Sequence, residues 1–109
     1  MKLLTSLIQI PMDEFGKLNY CFHYLKPEMT LAAYAVWQES GEHDFYGDNK
    51  KGERVLEGTL DFFTLEENDS KLDELEAAMN AMGASWALTS VMFEQETNLI
   101  HFTWDWEIS

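Results

Sequence analysis

Leu99-Ile100-His101-Phe102-Thr103-Trp104-Asp105-Trp106-Glu107-Ile108 decides the fold class. Ile100, Phe102, Trp104, Trp106 and Ile108 fall on one side of an extended chain, and Leu99, His101, Thr103, Asp105 and Glu107 on the other. A period of two that is so regular means a strand with one buried face and one largely wet face. Such a strand needs paired neighbours and a layer over its apolar side. Residues 85–94 supply one neighbour, joined to it through a turn at Glu96-Thr97-Asn98.

The covering layer comes from residues 69–82. Leu72, Leu75, Met79 and Met82 recur at helical spacing, and Asn68, Asp69 and Ser70 offer N-caps. Asp73 and Glu74 place negative charge where the helix dipole favours it, and Gly83 stands where a C′ glycine belongs. The Trp104 and Trp106 pair is expected to pack under this helix. Upstream, residues 54–65 read as a long strand with Leu56, Leu60 and Phe62 on one face and Glu57, Thr59 and Asp61 on the other. Gly58 on its apolar face predicts a bulge or the close approach of another backbone.

The first half is less regular. Leu3, Leu4, Leu7 and Ile8 predict a short helix over residues 1–9, bounded by Pro11. Residues 18–25 alternate, with Leu18, Tyr20, Phe22 and Tyr24 on one face, and predict a strand ending before Pro27. Residues 31–39 mix alanines with Tyr34, Val36 and Trp37; the β-favouring residues prevail and a strand is expected. A loop over 40–52 follows, rich in turn formers. The order is α, β, β, loop, β, α, β, β. It predicts an α+β fold: a mixed, mostly antiparallel sheet of about five strands, two helices on one face, and a long β-hairpin or loop around residues 40–54.

The chain has 109 residues, a usual size for one domain, and folding at this length buries roughly 65% of the unfolded surface. Twenty acidic and seven basic residues give a net charge of −13. Phosphate binding needs Lys and Arg, so the charge argues against nucleic acid and anionic membranes as partners. No apolar run approaches the ~20 residues that a membrane helix needs. The single cysteine, Cys21, allows no intrachain disulfide and fits a reducing compartment. Met1-Lys2-Leu3-Leu4 leads into Thr5, Ser6 and Gln9 with no small-residue cleavage site, so no signal peptide is expected.

Chemistry is hard to find. Cys21 and His23 lie two apart on one strand face, but a zinc site usually needs a second ligand pair. Glu42, His43, Asp44, Asp48 and Asn49 crowd the central loop without EF-hand spacing, and read as a solvated acidic loop. The serines lack a nucleophile elbow, and the glycines form no phosphate loop. The expectation is a protein with no catalytic residue, metal or cofactor. A weaker alternative is a metal-dependent enzyme using His23, His43 or His101. Phe45 and Tyr46 are out of place in a solvated turn; two aromatics at a hairpin tip suit insertion into a neighbour.

The short N-terminal helix, Tyr34-Ala35-Val36-Trp37, the acidic loop with Phe45-Tyr46-Gly47-Asp48-Asn49, the strand Val55–Phe63, the helix from Leu72 and the closing Phe102-Thr103-Trp104-Asp105-Trp106-Glu107 together resemble the tail-terminator (tail-completion) proteins of long-tailed bacteriophages and prophages. The resemblance covers nearly the whole chain and rests on element order, loop and last strand. It implies a homo-hexameric ring that caps the tail tube and joins tail to head. The implied partners are further copies of the chain, the tail tube protein and a head–tail connector. The implied location is the host cytoplasm during assembly and then the virion tail. It also implies a hairpin that reaches across the neighbouring subunit, which makes Asp44, Phe45, Tyr46, Asp48, Asn49 and Arg54 the subunit-interface candidates. Acidity suits a ring through which DNA passes, since like charge repels phosphate. The alternative expectation is a small acidic binding module, a regulator or DNA mimic, that does not self-assemble.

Overall fold

The computed structural model describes residues 4–26, 32–44 and 54–109. The order is α1 (Leu4–Gly16), β1 (Cys21–His23), β2 (Ala33–Asp44), β3 (Arg54–Thr64), α2 (Lys71–Ala81), β4 (Ser85–Glu94) and β5 (Leu99–Ile108). The strands form one sheet in the order β1-β2-β3-β5-β4. β1 pairs parallel with β2, and all other pairings are antiparallel. This is the mixed α+β sheet expected, with both helices on one face.

The core lies between that face and the helices. Phe102, Trp104, Trp106 and Ile108 of β5 are buried with Leu56, Leu60 and Phe62 of β3, and Leu7, Phe15, Leu75 and Met79 close over them from the helices. The intervening β5 side chains Asp105 and Glu107 are exposed, as the alternation requires. Polar bonds pin α2 to the sheet and to the turn before β1: Tyr20 donates to Glu74 at 2.6 Å, Trp104 Nε1 to Glu76 at 3.2 Å and Trp86 Nε1 to Asn80 at 2.9 Å. Burial and the Glu74 carboxylate both push the Tyr20 hydroxyl well above its ordinary pKa.

The caps of α2 follow local chemistry with one shift. The Ser70 side chain makes no capping bond. Asp69 does that work: its carboxylate accepts the Lys71 N–H at 2.9 Å and the Thr64 hydroxyl at 2.7 Å. Gly83 has φ +72°. With Ala84 N–H on the Met79 carbonyl and Gly83 N–H on the Asn80 carbonyl, it closes a Schellman motif.

Three expectations in the first half are corrected. Pro11 does not bound α1; it sits inside it. Its missing N–H forfeits one helical bond, and an interior proline costs about 3 kcal/mol. Leu7, Pro11 and Phe15 lie at i, i+4 and i+8 and are all fully buried, and that stripe carries the helix on to Gly16. The strand over 18–25 shrinks to Cys21–His23, because residues 17–20 form the turn out of α1. Tyr24 then leaves the strand at φ 69°, with the Leu25 N–H bonded back to the His23 carbonyl at 2.8 Å. The strand over 31–39 runs on to Asp44, so residues 40–44 of the expected loop are ladder. Its register shifts between Glu39 and Gly41, leaving a bulge at Ser40 opposite Gly58. Both readings of Gly58 hold in part: the bulge faces it, and what approaches it is chiefly the Trp106 indole, with the Gln38 carbonyl behind.

Candidate functional site

The hairpin singled out in the sequence is built from β2 and β3. β1 covers only Ala35, Val36 and Trp37 on one side, and β5 ends opposite Leu56 on the other. The ladder continues through His43↔Val55 and Asp44↔Arg54. Beyond Leu56, therefore, two strands leave the sheet as a ribbon leading into residues 45–53. Asp44 and Arg54 occupy opposed register positions at the base of that tip. Phe45, Tyr46, Asp48 and Asn49 lie outside the described residues.

The sheet face away from the helices carries features that periodicity alone did not reveal. Tyr34, Phe63, His101 and Met92 occupy one row across four strands. Tyr34 stacks on Phe63 at 4.8 Å between ring centroids, and Phe63 on His101 at 4.2 Å. His101 Nε2 lies 2.8 Å from Asp61, and Nδ1 3.5 Å from Glu94. The Thr103 hydroxyl donates to the same Asp61 oxygen at 3.0 Å. Lys26, Tyr34, Asp61, Phe63 and His101 help line an open cleft of about 330 Å³. Farther along, Glu57 and Glu107 occupy directly opposed register positions.

At the end of β1, His23 is sandwiched between Tyr24 and Trp37, each at 3.8 Å, and its Nε2 lies 2.7 Å from Glu39. The Tyr24 hydroxyl donates to the other Glu39 oxygen. Burial works to raise the Glu39 carboxyl, but the bonds from Tyr24, His23 and its own N–H outweigh it and hold it below the usual range. Burial pushes the Cys21 thiol up to about 12, so it stays protonated and a poor nucleophile or metal ligand. Among the described residues no three His, Cys, Asp or Glu side chains stand together as a metal site, and no helix is long and apolar enough to cross a membrane.

No protein-family model matches the chain, and no curated protein matches it significantly.

Proposed function

We propose that this chain is a structural protein of phage or prophage assembly, a tail terminator. Copies form a ring, six to a tail, that caps the tail tube and joins it to the head through the connector protein. The observation that carries the reading is the β2–β3 hairpin. It outruns its neighbours on both sides and leads into the tip with Phe45 and Tyr46. Large aromatics at such a tip are the side chains that anchor an arm in a neighbouring copy. The net charge of −13 keeps DNA from adhering to a ring it passes through.

The test is electron microscopy of concentrated protein with and without tail-tube protein. Rings or capped tubes are expected. A chain that never caps tubes, even at high concentration, sinks the reading. Phe45→Ala with Tyr46→Ala should abolish assembly while leaving far-UV circular dichroism unchanged; assembly that survives rejects the aromatic arm. The net charge of −13 favours a second reading, an acidic module that occupies a basic partner. It predicts salt-sensitive capture of a basic protein by a monomer.

A further inference from the structure

Of the eight large apolar side chains exposed among the described residues, six lie at the two opposite edges of the sheet. Leu88, Val91, Met92 and Phe93 stand on β4, between 46% and 60% exposed. Tyr24 and Leu25, at 50% and 75%, stand at the other edge, just past β1. The charge pattern marks the first of these edges. β4 runs ten residues with Glu94 as its only charged side chain, in a chain of net −13. It has none of the lysines, prolines or inward charges that keep ordinary edge strands from pairing.

The layer geometry explains why β4 is incomplete alone. Leu88, Val91 and Phe93 oppose Trp104, Phe102 and Ile100 in register, so they extend the core layer outward on the helix side. Met92 opposes His101 and extends the opposite face. Half of a large apolar side chain is roughly 80–100 Å², so the four expose some 350 Å². That is nearly half of the ~800 Å² per partner of a standard interface, before any backbone contact. At the far edge, β1 pairs with only three residues of β2. From Gln38 to Asp44, among the described residues, no strand covers the outer backbone of β2. On that stretch Glu39 is engaged by His23 and Tyr24.

We infer that these two edges bind each other: β4 of one copy docks against the Tyr24–Leu25 and β2 edge of the next, head to tail. The inference rests on the ring reading above and names the surface that builds the ring. The occupant follows from the distribution. Two unlike edges on opposite sides of one sheet, one an apolar strand and the other an uncovered strand backbone beside Tyr24 and Leu25, are both satisfied by a head-to-tail contact, which closes into a ring when the rotation permits. A two-fold contact through β4 covers one edge and leaves the other bare. Two copies at −13 each repel, so the contact should strengthen as salt screens that repulsion.

The test is sedimentation velocity of the full chain at several hundred micromolar, in low salt and in about 0.5 M salt. The wild type should form species larger than a dimer, more so at high salt. Val91→Lys on β4 and Leu25→Lys at the far edge should each weaken assembly at least tenfold and leave thermal unfolding unchanged. Met92→Lys and Tyr24→Lys replace either variant if it misfolds. Mixing the two variants is decisive. One retains an intact β2 edge and the other an intact β4, so the mixture should stop at a discrete heterodimer. A wild type that stays monomeric overturns the inference, as does a Leu25→Lys chain that dimerises alone or a mixture that stays monomeric. Tube capping is scored separately. Oligomers that form through these edges yet never cap tubes reject the tail reading alone; capping by a chain whose assembly ignores both lysines rejects the edge contact alone.

Discussion

Replacing Gly58 with alanine places a methyl group inside the Trp106 indole. The new Cβ would lie 2.1 Å from Cζ2 and 2.4 Å from Cε2 of Trp106, and 2.5 Å from the Gln38 carbonyl oxygen. Ordinary contact begins near 3.4 Å, so something must yield by more than an ångström. The carbonyl belongs to the β2 backbone. The indole is 2% exposed and packed against Phe15 and Trp37, each with its ring centroid 6.3 Å away. Overpacking of this kind costs about 1–3 kcal/mol, and with neither wall free the upper end applies. Removing a strand glycine returns about 0.5–1 kcal/mol, which leaves a net loss of about 2 kcal/mol, or roughly 10 °C in Tm. Urea unfolding followed by tryptophan fluorescence and far-UV circular dichroism measures it. The partner test uses Trp106→Leu, which removes the clashing ring. Trp106 Nε1 has no hydrogen-bond partner among the described residues, so that change sacrifices no bond. Gly58→Ala in the Trp106→Leu background should cost about 1 kcal/mol, because the Gln38 carbonyl still crowds the new methyl, which leaves a coupling of about 1 kcal/mol with the indole. A cost that is the same in both backgrounds refutes the reasoning.

Asp69→Ala should destabilise by about 2 kcal/mol in urea, because the change strands the Thr64 hydroxyl and the Lys71 N–H. Burial works to raise the Asp69 carboxyl, but the Lys71 N–H, the Thr64 hydroxyl and the Lys71 charge outweigh it and hold it below its ordinary value. Its stabilisation is therefore complete above the unfolded pKa near 3.9 and drains as pH falls through the lower folded value. The stability gap between wild type and Asp69→Ala should narrow on acidification, and a gap that widens contradicts this. Gly83→Ala should cost about 1 kcal/mol at φ +72°, read as a lower urea midpoint with an unchanged slope. Cys21 should react at least a hundredfold more slowly with a thiol reagent at pH 8 in the native chain than in urea, since burial holds its thiol near 12; equal rates would show that β1 opens freely.

What the sequence determined by itself was everything set by neighbours along the chain. The alternation from Leu99 to Ile108 defined β5 and its buried face, because successive strand side chains must point to opposite sides. The spacing of Leu72, Leu75 and Met79, the acidic first turn and Gly83 defined α2 nearly to its ends, because caps and dipole act within one turn. The hairpin around 40–54 was legible in its turn formers, although its ladder reaches Asp44. Only the tertiary structure decided the rest. Pro11 should have ended α1, and it does not, since the buried stripe of Leu7, Pro11 and Phe15 outweighs the lost bond. The alternation over 18–25 stood for only three residues of strand, because a period of two describes faces and not partners. Nor did the sequence reveal that β5 inserts between β3 and β4. That order leaves β4 at the edge with Leu88, Val91, Met92 and Phe93 in solvent, and aligns Tyr34, Phe63 and His101 in one row. Pairing order and register are long-range choices, made by the packing of the whole sheet against its helices, and no local window of sequence contains them.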